Sequence, residues 1–94
     1  MTRLPPVELL ESVHQFPGPY LFKAIGKSDN GFAARAVAAV RDEIASPTDP
    51  PFSIRESKGG RHVSVSVEAN VLSAHEVLAI YKRLSALTGL VLLW

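Results

Sequence analysis

Residues 52–69 read FSIRESKGGRHVSVSVEA, two runs of alternating apolar and polar residues separated by Ser57-Lys58-Gly59-Gly60. Successive side chains on a pleated strand point to opposite faces. The pattern therefore predicts a β-hairpin with Phe52, Ile54, Val63, Val65 and Val67 on a core face and Ser53, Arg55, Ser57, His62, Ser64, Ser66 and Glu68 on a polar one. A single register brings all five apolar side chains to one surface. The two glycines suit the turn, where a positive φ is costly for any residue with a Cβ. A lone hairpin is marginal in water, so the rest of the chain must supply further strands and helices.

The flanking segments supply them. Residues 20–26, YLFKAIG, alternate in the same way: Tyr20, Phe22 and Ala24 suit the core face, and Leu21, Lys23 and Ile25 the other. Next, Ser28, Asp29 and Asn30 offer N-caps for a helix running to about Ala45, with Phe32, Ala33, Ala36, Val37, Val40 and Ile44 as its apolar stripe. SPTDPP at 46–51 ends that helix and leads into the hairpin. After the hairpin, Ser73-Ala74-His75-Glu76 is a capping box for a second helix, which buries Val77, Ile80, Tyr81, Leu84 and Leu87 and stops near Thr88-Gly89. Residues 90–94 form a last strand, apolar on both sides.

The order is βαββαβ. Right-handed crossovers turn it into a four-stranded antiparallel sheet of order 4-1-3-2 with two helices on one face, an α+β sandwich of the ferredoxin-like type. Ahead of it, residues 1–17 form an N-terminal amphipathic helix and linker: Pro5 and Pro6 suit a first turn, and Val7, Leu9, Leu10, Val13 and Phe16 lie towards one side. Residues 18–94 form the domain proper. The face of the sheet without helices carries Lys23, Arg55, His62, Ser64, Ser66 and Glu68, and also Leu21, Ile25 and alternate residues of the last strand, so it is half polar and half aliphatic. Its cover is expected to be either the N-terminal helix or a second copy of the chain.

Ninety-four residues allow one domain, and 47% apolar content with 20% charge is that of a globular chain. With no cysteine, neither disulfides nor thiolate metal sites contribute, and the expected location is the reducing cytoplasm. The N-terminal stretch lacks the apolar run of a signal peptide, and no segment approaches the ~20 apolar residues of a membrane span. A net charge of +1 gives little attraction for phosphate polymers, which weighs against nucleic acid.

Three segments resemble a known family: FPGPYLFKAIG at 16–26, the turn Ser57-Lys58-Gly59-Gly60, and HVSVSV at 62–67. In order and separation they are similar to the YbeD-like family of uncharacterised bacterial proteins, over nearly the whole chain. The turn departs from that pattern: it is one residue longer, with Gly60-Arg61 where an Asn and an aromatic are common. The resemblance implies a fold similar to the ACT regulatory domains, which bind small metabolites, often amino acids, at subunit interfaces. It brings no catalytic or ligand residues.

The functional expectation is a non-enzymatic, ACT-like regulatory or adaptor domain, homodimeric or bound to another protein, with no cofactor. A small amino-acid-like ligand would sit at Gly26, Lys27, Ser28, Asp29 and Asn30, where glycine permits close approach and a helix start offers N–H donors. The bland alternative is an ordinary capped loop. Protein contact would use Leu21, Lys23, Ile25, Arg55, His62, Ser64 and Ser66. Catalysis is not indicated: His62 and Glu68 are six residues apart on one strand, about 20 Å at ~3.3 Å per residue. His14 and His75 lack partners at metal-ligand spacing. An acylphosphatase-like enzyme would need an arginine cradle in the first loop, and a metallochaperone paired cysteines; Lys27-Ser28-Asp29-Asn30 supplies neither. The alternative binding role is an RNA-binding module using Lys23, Arg55, Lys58 and Arg61. Gly60, His62 and Val65 stand where such a surface would place stacking rings.

Overall fold

A computed structural model describes residues 4–94; the first three residues of the expected N-terminal segment lie outside the described residues. The elements are α1 (Val7–Val13), β1 (Gly18–Lys27), α2 (Phe32–Glu43), β2 (Phe52–Glu56), β3 (His62–Val71), α3 (Ala74–Ser85) and β4 (Leu90–Leu93). The strands form one sheet in the order β2-β3-β1-β4, with antiparallel pairing throughout. The ferredoxin-like expectation holds.

Alternation decides which face is buried. Phe22 and Ala24 of β1 lie opposite Val67 and Val65 of β3, and all four are buried under α2 and α3. The valine and alanine series continues to Ala69 and Val71, so β3 is twice the length of β2. From the helix layer, Phe32, Ala36, Val37 and Val40 of α2 and Val77, Ile80, Tyr81 and Leu84 of α3 close the same cluster.

The expected register of the hairpin is correct, with Phe52 opposite Val67 and Ile54 opposite Val65. The expected burial is not. Phe52 is 47% exposed and Ile54 50%, because the helices lie over β3 and β1 and β2 is an edge beyond them.

Helix starts divide the same way. In α3, Ser73 Oγ accepts from the Glu76 N–H at 3.2 Å, and Glu76 Oε1 accepts from the Leu72 N–H, one residue before the position a standard box uses. In α2, none of Ser28, Asp29 or Asn30 is the cap. Gly31 is, at φ 64°, with no side-chain hydrogen bond, because the chain enters through two left-handed residues, Asn30 and Gly31. Helix α3 ends at Ser85, earlier than expected, and the left-handed Gly89 instead turns the chain into β4.

The N-terminal helix does not cover the open face. It is shorter than its pattern suggested, Leu10 alone is buried, and Leu9 and Val13 face water. Leu4, Val7 and Phe16 pack partly on the same core, and α1 lies against α3 on the helix side. The His14 ring lies tilted against the Tyr20 ring, centroids 4.8 Å apart, and the Tyr20 and Tyr81 hydroxyls meet at 3.1 Å, which joins the linker to the helix layer.

Candidate functional sites: the open sheet face and the loop at its end

On the face away from the helices, β1 and β3 set Lys23 opposite Ser66, Ile25 opposite Ser64 and Leu21 opposite Glu68, while β2 sets Arg55 against Ser64. Leu21, Lys23, Ile25, Arg55, Ser64 and Ser66 thus share one surface. His62 lies at its far end, opposite Lys27.

The last strand, read as apolar on both sides, sends alternate residues to this face as well. Leu92 pairs with Ile25, and Trp94 pairs with Lys23 through two 2.8 Å backbone hydrogen bonds, so both side chains join the open face. A register shift between Ile25 and Gly26 separates them from Leu90, which packs on the core. Leu21, Leu92 and Trp94 are each about half exposed, at 47%, 52% and 47%. A groove of about 370 Å³ crosses this face, lined by Lys23, Ser53, Ile54, Arg55, Ser64, Ser66 and Trp94. The ion pairs among the described residues belong to Arg41 and Arg83 on the helix layer, so Lys23 and Arg55 present their charge to the groove.

The loop after β1 is a different environment. Gly26 faces the helices, and a Cβ there would lie 2.5 Å from the Phe32 ring, so that glycine makes room for packing. Lys27, Ser28 and Asp29, without Asn30, meet a segment that sequence spacing did not bring near them. The Ser28 N–H donates to the Arg61 carbonyl at 3.1 Å, and Lys27, Ser28 and Asp29 face Gly60, Arg61 and His62 across a cleft of about 390 Å³. Arg35 serves the fold here, since its guanidinium donates to the carbonyls of Asn30 and Thr88 and lies 5.7 Å from the Phe32 ring centre. Hairpin pairing was the available signal for this cleft, since Lys27 opposite His62 follows from extending the β1–β3 register.

The titration shift nearest to these surfaces belongs to the core. Burial, and then the hydrogen bond with Tyr20, push the Tyr81 hydroxyl well above the ordinary phenol value, so it stays protonated as a structural link. Among the described residues no group of three His, Asp or Glu side chains is placed to hold a metal ion. Nor is any helix among them long and apolar enough to cross a membrane.

A family model described as "Protein of unknown function (DUF493)" matches residues 11–93. The chain belongs to the DUF493 family. The likeness read from residues 16–26 and the hairpin, to the YbeD-like proteins, therefore holds. Among the relatives of this DUF493 chain, a UPF0250 protein of Shewanella frigidimarina is 34% identical over 79 residues, covering 84% of the chain and 88% of the relative. A UPF0250 protein of Shewanella piezotolerans is 28% identical with the same coverage. The solution structure of protein HP0495 from H. pylori superposes with a TM-score of 0.64 at 16% identity, covering 100% of this chain and 98% of that one. That likeness is one of fold, and it extends through α1 to the end of β4.

Proposed function

We propose that this DUF493 chain is a non-catalytic regulatory or adaptor domain of the cytoplasm that docks a protein partner on the open face of its sheet. One observation carries the reading. The chain's own spare helix packs on α3, which leaves Leu21, Leu92 and Trp94 half exposed in a surface that also holds Ile25, Lys23 and Arg55. A contact surface needs such a mixture: apolar area supplies affinity, and unpaired cations select a partner edged with carboxylates.

The test is co-purification from native cells, with mass spectrometry of what is retained. The wild type is compared with a Leu21→Glu/Leu92→Glu variant and with Lys82→Glu on the exposed side of α3. A protein held by the wild type and by Lys82→Glu but lost from the double variant is the expected result. Identical sets for all three would overturn the reading.

A second reading has its own observation, the cleft between the β1–α2 loop and the hairpin turn. Lys27 and Arg61 suit the carboxylate of an amino-acid-like ligand and Asp29 its ammonium group. A rise in melting temperature with an amino acid, abolished by Arg61→Ala, supports it; a flat response across an amino-acid panel removes it. Single-stranded RNA on the open face would instead show salt-dependent binding lost with Trp94→Ala or Lys23→Ala.

A further inference from the structure

Strand β2 is an open edge, and its hydrogen-bonding directions are fixed by its pairing with β3. The Glu68 N–H donates to the Pro51 carbonyl at 2.9 Å, and the Ser57 N–H donates to the His62 carbonyl at 2.9 Å. Both pairs obey the register that sets Phe52 opposite Val67 and Ile54 opposite Val65. In an antiparallel ladder these pairs alternate with ones whose backbone groups point away. Residues 51, 53, 55 and 57 therefore bond inward to β3, and Phe52, Ile54 and Glu56 aim their N–H and C=O groups outward. All five residues of β2 are exposed.

This edge is self-complementary. With a second copy placed antiparallel about a two-fold axis at Ile54, Phe52 meets Glu56 of the second copy, Ile54 meets Ile54, and Glu56 meets Phe52. Every outward residue then faces an outward residue, with two backbone hydrogen bonds for each pair. Arg55 falls opposite Ser53. Centring on Ser53 or on Arg55 leaves only two complete pairs within the strand, and the latter sets Arg55 against itself, a destabilising like-charge pair. The axis at Ile54 also gathers the half-exposed Phe52 and Ile54 side chains of both copies into one patch on the helix side. Pro50 and Pro51 precede the strand and keep the pairing from running further along it, and because the two-fold axis uses the same edge of both copies, the contact closes as a dimer.

We infer that two copies of this chain associate through their β2 edges, antiparallel about Ile54, to form one continuous eight-stranded sheet. A contact between five-residue edges is smaller than the ~1,200–2,000 Å² of a standard stable interface, so the dimer depends on concentration. It is independent of the docking role proposed above, which uses the face of the sheet.

Sedimentation velocity over a concentration series is the first measurement, with the wild type shifting from monomer to dimer in the micromolar range. Ile54→Pro removes an N–H that points outward and spares the ladder to β3, so the variant keeps its circular dichroism and stays monomeric. The chain has no cysteine, which allows a test of register. Opposed Ile54 Cα atoms lie at about 5.5 Å, within disulfide range, whereas the two Phe52 positions are offset by four residues, about 14 Å. Ile54→Cys cross-links under mild oxidation and Phe52→Cys does not. A wild type that remains monomeric at every concentration, an Ile54→Pro variant that still dimerises, or equal cross-linking of the two cysteine variants would overturn the inference. Partner retention by the wild type at concentrations below the dimer transition separates this outcome from the fate of the docking role.

Discussion

At the scale of single residues, two positions decide more than their size suggests. Gly26 lies near the end of β1 against the start of α2, and its missing side chain is the space occupied by the Phe32 ring, itself 1% exposed. Gly26→Ala must displace a ring with nowhere to go. Urea denaturation is expected to show a loss of about 1–3 kcal/mol, the usual penalty of overpacking, larger than the ~0.4–1 kcal/mol gained by restricting the unfolded chain. Tyr81 acts through its hydroxyl. Because its pKa is raised in the folded protein above the ordinary 10.0, the unfolded chain releases this proton first. The stability it supports is complete below pH 10 and falls as pH rises beyond it. Tyr81→Phe is expected to cost about 1 kcal/mol at neutral pH, through the lost bond to Tyr20, and to flatten the alkaline decline in stability. Equal slopes for wild type and variant between pH 9 and 11 would assign that decline elsewhere.

Elements show where sequence patterns carry structural information and where they stop. The alternation in β1 and β3 was legible because each strand is buried on one face only, and Val63 to Val71 cannot be shifted by one residue without exposing the whole series. The capping box of α3 was legible because the chemistry is local to four residues. What failed was non-local. Phe52 and Ile54 have the right face, but their burial depends on how far the helix layer reaches, which strand alternation does not encode. Whether α1 covers the open face stayed undecided in the sequence for a related reason: a helix with a diffuse apolar side carries no address, and Leu10 seated against the helix layer rather than the open face is a result of tertiary packing. The cleft of Lys27, Asp29 and Arg61 was half legible, since its first wall is contiguous and its second comes from the hairpin turn. With α1 on the helix side, its buried leucine serves the fold and not the open face. Leu10→Ala should destabilise the domain by about 2–4 kcal/mol in chemical denaturation, since it empties a buried site, and should leave binding on the open face unchanged. A variant that keeps full stability but loses partner binding would place α1 on the wrong side of the sheet.

For the whole molecule, the strand order separates two surfaces that the sequence offers as one. β2 and β4 are the opposite edges of the sheet, three strand spacings apart, about 14 Å. The chain's single tryptophan, Trp94, follows β4 and lines the open-face groove, while the self-pairing edge is β2. Its ring, 47% exposed, is therefore a reporter of one surface and silent on the other. Docking of a protein on the open face would exclude water from the indole and shift its emission to shorter wavelength. Association through β2 would bring the Phe52 and Ile54 side chains together on the helix side of the sheet and leave the indole on the other face, in the same solvent. Raising the concentration of the free chain through the dimer transition is thus expected to leave the emission maximum in place, and adding the partner to move it. A blue shift on self-association alone would mean that copies of this chain meet face to face, and the open face would then be the dimer interface, leaving the β2 edge without a role.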